Sequence, residues 1–362
     1  MLRYRTVVLG CALLLLGNVS VRADRVDDIL KDLASGDTGK QFRALANLKQ
    51  VKDPRVNKAI IERAADQTTS LTIRGECIRF IVTQQFADGL GTLLNIADNT
   101  KEPFALRGPA IFGVVQLSGS EHIGLLIKLI REDKEPLVRN TAAAALGSTR
   151  DPKITPRIIE LLNDPNCAAY AAGALGITGD PSAVQPLIDK LNTKDALLRN
   201  TIISSLGRLG DKRSIPPLME LLKGENTGQV YPILAAFGNI NDPEVVKTLI
   251  AFASNKTGTE ETRTRALLSI ATLKAIEALT TVGAIAADPG EKFGIRHVAT
   301  EVLGSLGEQA IPTLLALLDD KILAEAAGLS LGKITGVFYG TDRARWTDYY
   351  NTRKTAKPQT PR

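Results

Sequence analysis

The chain has three cysteines, two histidines and one tryptophan among 362 residues, and aromatic side chains make up only 4% of it. Each shortage excludes something. Cys11 sits in an N-terminal apolar stretch, which leaves Cys77 and Cys167 beyond it, too few for a disulfide framework. His122 and His297 are far apart in sequence, and a zinc or iron site needs several His, Cys or carboxylate ligands converging. No metal and no cofactor is expected. Gly-rich phosphate loops and a Gly-x-Ser-x-Gly elbow are missing, and Ser118-Gly119-Ser120 reads as a turn. No catalytic residue is therefore expected. Beyond the N-terminus no apolar run is long enough to cross a membrane.

The first 23 residues read as a secretory signal. Arg3 and Arg5 form a basic start, Val7 to Gly17 an apolar stretch, and Val21-Arg22-Ala23 a cleavage site. Val8-Leu9-Gly10-Cys11 imitates a lipoprotein box, but its cysteine lies inside the apolar run instead of after it. The expected location is exported, periplasmic or extracellular, with an uncleaved membrane anchor as the alternative. The formal charge of +6 is misleading. Without the signal the chain has 42 basic and 39 acidic residues, and the segment from Val337 on holds six basic and two acidic ones. The part between is close to neutral. It has neither the basic stripe nor the stacking aromatics of a nucleic-acid binder, so nucleic acid is not an expected partner.

What the chain does have is a period. Large apolar residues recur at Leu146, Leu175, Leu206, Phe237, Ile270, Leu303 and Leu331, spaced 29, 31, 31, 33, 33 and 28 residues apart. A glycine follows most of them, and an acidic residue follows four positions later: Gly147 to Asp151, Gly176 to Asp180, Gly207 to Asp211, Gly238 to Asp242, Gly304 to Glu308. Self-similarity at such a period marks a repeat array. The unit from Leu137 to Leu162 predicts two helices. The first is alanine-rich and ends at Gly147, read here as the left-handed residue that closes a helix. Asp151 then caps the next helix, with Pro152 at its first position. Two such helices cannot bury an apolar face alone, so neighbouring units must stack. Cys77 and Cys167 fall about three units apart. Helix layers stack at roughly 8–10 Å, beyond the ~6 Å that a disulfide spans, so both read as small core residues.

A second series keeps the same register. Arg43, Arg74, Arg107, Arg139, Arg199, Arg263 and Arg296 open the alanine-rich helices, with Ala168, Val230 and Ala324 in that slot in three units. A residue repeated in most units serves the unit. The series is expected to be a structural ladder that ties the turn between helices to its own or a neighbouring repeat.

These residues together resemble the HEAT-repeat α-solenoid family, specifically the short variety called PBS-lyase-like. The resemblance rests on the turn aspartate, the Val138-Arg139 entry, the alanine-rich second helix ending in Leu-Gly, and the early prolines Pro156, Pro186, Pro216 and Pro312. It covers roughly residues 25–336 and is strongest from 137 to 243. It implies an all-α, right-handed solenoid of about ten helical pairs over 24–336, with the arginine-initiated helices on its inner side. Some relatives are enzymes: deoxyhypusine hydroxylases bind iron through His-Glu pairs, and bilin lyases share the repeat type. Here Ile123 follows His122 and Val298 follows His297, so the His-Glu pair does not carry over.

The C-terminus breaks the pattern. Phe338, Tyr339, Trp346, Tyr349 and Tyr350 crowd into a short stretch that resembles the terminal segment of exported bacterial HEAT-repeat proteins. Residues 337–352 are expected to form a turn and a short helix capped at Asp342, with Phe338, Tyr339, Trp346 and Tyr349 covering the last repeat; 353–362 reads as a disordered basic tail. The function expected is a non-enzymatic exported scaffold or adaptor for a protein or peptide. The alternatives are a HEAT-type enzyme of the lyase or hydroxylase kind and an envelope-anchored structural protein. Residues one and five places after the ladder slot share a helix face. That face puts Arg79, Asn140, Asn200, His297 and Glu301 forward as the partner-binding set.

Overall fold

A computed structural model of the protein describes residues 25–50, 53–223 and 227–355. The expected signal segment 1–23 and most of the basic tail lie outside the described residues. The fold is an all-α solenoid, and no strand occurs among the described residues. The described residues form two compact units that divide between Ala174 and Leu175.

The first unit holds α1 (25–34), α2 (Thr38–Ala46), α3 (Pro54–Ala65), α4 (Leu71–Thr83), α5 (Leu90–Asp98), α6 (Phe104–Ser118), α7 (Ile123–Glu132), α8 (Pro136–Ser148) and α9 (Thr155–Leu161). The units divide within α10 (Ala168–Thr178). The second continues with α11 (Val184–Asp189), α12 (Ala196–Leu209), α13 (Ile215–Lys223), α14 (Val230–Phe237), α15 (Pro243–Ser254), α16 (Glu260–Leu273), α17 (Leu279–Ala287), α18 (Phe293–Leu306), α19 (Ile311–Leu317), α20 (Ala324–Thr335) and α21 (Arg343–Thr355). Odd and even helices alternate as the first and second members of hairpins. In the first unit α4 packs on α6 and α6 on α8; in the second α12, α14, α16, α18 and α20 pack in turn. Branched residues of the first helices (Ile60, Leu126, Ile158, Leu218, Leu249) and small or branched ones of the second (Ala142, Ala145, Leu206, Ala266, Leu303) are buried together. Cys77 and Cys167 are free and buried among them. Burial pushes the Cys77 thiol up to about 12.

The turn aspartates cap. Lys153 N–H donates to Asp151 Oδ1 at 3.0 Å, and the same bond recurs from Ser182 to Asp180, Arg213 to Asp211 and Glu244 to Asp242. Glu308 breaks the series, because Gly307 takes the capping position and no side chain bonds there.

The glycines of the period do something other than the sequence suggests. Gly147 lies within α8, and Gly176, Gly207 and Gly304 lie within α10, α12 and α18, all with ordinary helical geometry. The left-handed residue comes three places later, as Arg150 (φ 50°), Gly179 (φ 71°), Gly210 (φ 66°) and Gly307 (φ 88°). The period glycines serve contact. A Cβ at Gly207 would sit 2.6 Å from Ala236 Cα, one at Gly176 2.6 Å from Ser205 Cβ, and one at Gly304 2.9 Å from Ser330 Cβ. Each removes a side chain where the next even helix comes closest, two residues before that helix's own position in the series.

At the C-terminal end the chain turns at Gly336 (φ 76°) and crosses α20, where a Cβ on Gly328 would meet the Gly340 carbonyl at 2.2 Å. α21 then packs on α19, with Arg345 N–H donating to Asp342 Oδ1 at 3.1 Å. Trp346 is 1% exposed, its indole N–H donates to Gly340 O at 2.9 Å, and Tyr339 and Tyr349 meet it edge-on at 5.0 and 6.3 Å between ring centres. Arg343 pairs with Asp319, and Arg353 with Glu308 at 2.7 Å. Phe338, expected to join these aromatics, is 67% exposed: it precedes the crossing, and only an edge of its ring lies by Gly332.

Candidate functional site

Two layers of chemistry run along the even helices. The inner layer is the ladder. In α4, α6, α8, α12, α16 and α18 the arginine is the fourth helical residue. In all of these but α12, where the Arg199 Nε finds no acceptor, its Nε donates back to the end of the preceding helix: Arg74 to Ala64 O at 2.9 Å, Arg107 to Ala97 O at 3.0 Å, Arg139 to Ile130 O at 2.7 Å, Arg263 to Ala253 O and Arg296 to Ala286 O at 3.0 Å. The terminal nitrogens reach forward to the turn acid of the next repeat: Arg74 to Glu102 as a two-pronged pair, Arg107 to Asp133, Arg263 to Glu291, Arg296 to Asp320. One side chain thus satisfies an orphan helix-end carbonyl in its own repeat and a carboxylate in its neighbour. The acids just upstream of the arginines are not the partners. Asp195 caps α12, and Glu260 faces Lys292 at 3.5 Å.

Burial alone would push the Asp133 and Asp320 carboxyls up, but the Arg107 and Arg296 guanidiniums and backbone N–H groups of the turns hold them below the usual carboxylate range. For Glu291 the Arg263 hydrogen bonds dominate in the same direction. Arg139 and Arg199 lack an acid partner and bond the carbonyls of Asn166 and Thr193 instead. Where Ala168, Val230 and Ala324 stand in the slot, they are the first helical residue and not the fourth, so those helices begin a turn later.

Arg43 does not belong to the ladder. It is exposed in the last turn of α2, six residues in. Gln41 is the fourth residue, buried, and its amide donates to Ser35 O at 2.7 Å and Leu33 O at 3.3 Å, the end of α1. Seven residues separate Gln41 from buried Leu48, the same interval that separates Arg139 from Leu146. That interval is the sequence signal for Gln41; an arginine two residues on obscures it.

The outer layer faces solvent. Ten large apolar side chains are exposed among the described residues, and nine take fixed places relative to the ladder slot. Leu71, Leu137, Leu197, Phe293 and Ile322 precede it by two or three residues, Phe42 follows it by one, and Phe112, Leu268 and Leu329 follow it by five. These offsets fall on one stripe of a helix. The polar members of this face stand out in the sequence by their residue type; the apolar ones do so only as large apolar residues outside the core series.

The five residues expected to bind a partner divide. His297 and Glu301 line an open groove of about 620 Å³ on α16, α18 and α20, together with Leu268, Phe293, Ile322 and Leu329. His297 Nδ1 lies 3.9 Å from a Glu301 carboxylate oxygen, and the Phe293 ring is 5.6 Å from the imidazole. Arg79 is exposed on α4 and pairs with Glu76. Asn140 and Asn200 are exposed on α8 and α12, outside this groove. Among the described residues no group of three or more His, Cys, Asp or Glu side chains could hold a metal ion. No helix among them is long and apolar enough to cross a membrane.

A profile of HEAT repeats matches residues 90–168 and 155–230, and one of PBS lyase HEAT-like repeats matches 295–320. Solved structures that resemble the chain include human deoxyhypusine hydroxylase, at 20% identity over 71% of this chain and 99% of that one with a TM-score of 0.33. Another is the CpcE–CpcF complex of phycocyanin lyase from Nostoc sp. PCC7120, at 23% identity over 64% and 94% with a TM-score of 0.38. Importin beta resembles it at 11% identity over 92% of this chain and 54% of that one, with a TM-score of 0.44. No curated protein matches the chain significantly.

Proposed function

The chain belongs to the HEAT-repeat solenoid family, and on that premise we propose that it is a non-enzymatic scaffold or adaptor, exported by way of its N-terminal segment, that holds a protein or peptide along its even helices. One observation carries the proposal: in each unit the exposed large apolar residues on or just before the even helices hold the same few places relative to the ladder slot. Apolar side chains left in water at a repeated register are a common feature of surfaces that bind other proteins. The residues beside them, Asn140, Asn200, His297, Glu301 and Arg79, give the face a polar rim. The ladder beneath fixes the turns by buried ion pairs and helix-end hydrogen bonds, so the face is displayed on a firm base.

The experiment is capture from the exported fraction with residues 24–362 as bait. Leu137→Asp and Leu197→Asp change the face at exposed positions, while Arg157→Asp and Lys247→Asp change exposed positions on α9 and α15. A protein captured by the wild type and both controls and lost with both leucine variants supports the reading. Capture unaffected by the leucine variants, or lost equally with the controls, refutes it.

A further inference from the structure

The groove on α16, α18 and α20 sets two kinds of carboxylate side by side. The turn acids there, Glu291 and Asp320, are each held by a ladder arginine. The two carboxylates that line the groove are not so held. Glu325 is exposed and has no ion-pair partner among the described residues, and Glu301 has only the imidazole of His297 at 3.9 Å, a partner when protonated and not otherwise. The one lysine of the lining, Lys333, directs its ammonium to Ser305 Oγ at 3.0 Å. Around these charges Leu268, Phe293, Ile322 and Leu329 are 39, 55, 55 and 56% exposed. The groove therefore combines apolar surface with two carboxylates that have no permanent ion-pair partner, against the single cation Lys333, which is turned to Ser305.

We propose that this groove docks an apolar peptide segment that carries a lysine or arginine. Its aliphatic side chains lie on Phe293, Ile322, Leu329 and Leu268, and its cation is held by Glu301 and Glu325. The inference rests on the even helices being a protein-binding face and adds the chemistry of the partner. An acidic segment would bring like charges together at the same apolar contacts, and complementarity of this kind decides partner choice more than total affinity. A neutral segment would bury the leucines and leave both carboxylates uncompensated.

The test uses residues 24–362 and three fluorescein-labelled 14-residue peptides with one leucine pattern at i, i+3, i+4 and i+7. Their polar positions are all lysine, all glutamine or all glutamate. Fluorescence anisotropy should show the Leu/Lys peptide binding on the order of tenfold tighter than Leu/Gln at low salt, as two exposed ion pairs are worth about that. The Leu/Glu peptide should bind weakest, and the Leu/Lys advantage should shrink with added salt. Glu301→Gln with Glu325→Gln should erase the difference between lysine and glutamine peptides, while Leu329→Asp should weaken binding of all three. These positions are exposed, so unchanged circular dichroism and melting serve as the folding check. Equal binding of the three peptides, still lost with Leu329→Asp, overturns the charge assignment and leaves the apolar face standing. Binding of no peptide, or binding untouched by Leu329→Asp, overturns the groove as a site.

Discussion

Gly207→Ala tests the packing of the repeats by the sign of its effect. Gly207 lies in the last turn of α12. If its neighbourhood were open, alanine would stabilise the helix by about 0.5–1 kcal/mol, because glycine loses more backbone freedom on folding. The structure places the added Cβ 2.6 Å from Ala236 Cα and 2.7 Å from its Cβ, closer than real carbons approach. Neither obstacle is the end of a flexible side chain, so α12 and α14 must separate. Overpacking of this kind costs typically about 1–3 kcal/mol, enough to cancel the propensity gain or exceed it. Gly124→Ala is the control: that glycine is in the first turn of α7, exposed, with nothing within 4 Å of the added Cβ. Gly207→Ala should melt below wild type, by about 2–4 °C for each net kcal/mol lost, with amide exchange accelerated in α12 and α14. Gly124→Ala should melt at or slightly above it. Adding Ala236→Gly should rescue Gly207→Ala only in part, since it removes the Cβ and leaves the Cα. A Gly207→Ala protein more stable than wild type, as an open neighbourhood requires, would refute the close approach.

Trp346→Ala should cost about 3–5 kcal/mol, the range for truncating a buried tryptophan, and promote aggregation through the uncovered end. A water-exposed indole emission spectrum in the wild type, with an unchanged melt in the variant, would remove the cap from the account. In the ladder, Arg107→Ala strands the buried Asp133 carboxylate and should cost about 3–5 kcal/mol, Gln41→Ala about 1–3 kcal/mol for its stranded acceptors, and Arg43→Ala almost nothing. Urea titrations that place Arg43→Ala beside Arg107→Ala would refute the assignment of the slot to Gln41.

How far the sequence could be read follows from which physics is local. Helix pairing, the capping aspartates and the period are set within about thirty residues, and the interval from ladder slot to buried apolar residue is constant, so one repeat teaches the next. The period glycines differ from expectation because glycine has two uses at a helix end, left-handed geometry and close approach, and spacing does not distinguish them. Only the neighbouring helix decides, and at Gly207 that neighbour is Ala236, a residue from the next repeat. The same holds for the ladder. Asp195 and Glu260 stand nearest to an arginine in sequence, yet Arg263 pairs with Glu291, whose position in the next turn becomes adjacent only when repeats stack.

The interaction face shows the limit from the other side. A core residue announces itself by the company it keeps along the helix, whereas Leu137, Leu197 or Phe293 adds one more apolar residue to a stretch already rich in them. Their exposure is visible only once the core positions are filled by Val138, Leu198 and Ile295, which are buried one or two places away. Fold reading counts apolar residues toward the interior, and a binding face is made of those the interior had no room for. In a repeat protein the two sets share one period, so periodicity alone reports their sum. Separating them needs the burial of each residue, and that is where His297 and Glu301, chosen for their polarity, turn out to stand beside Phe293 and Leu329.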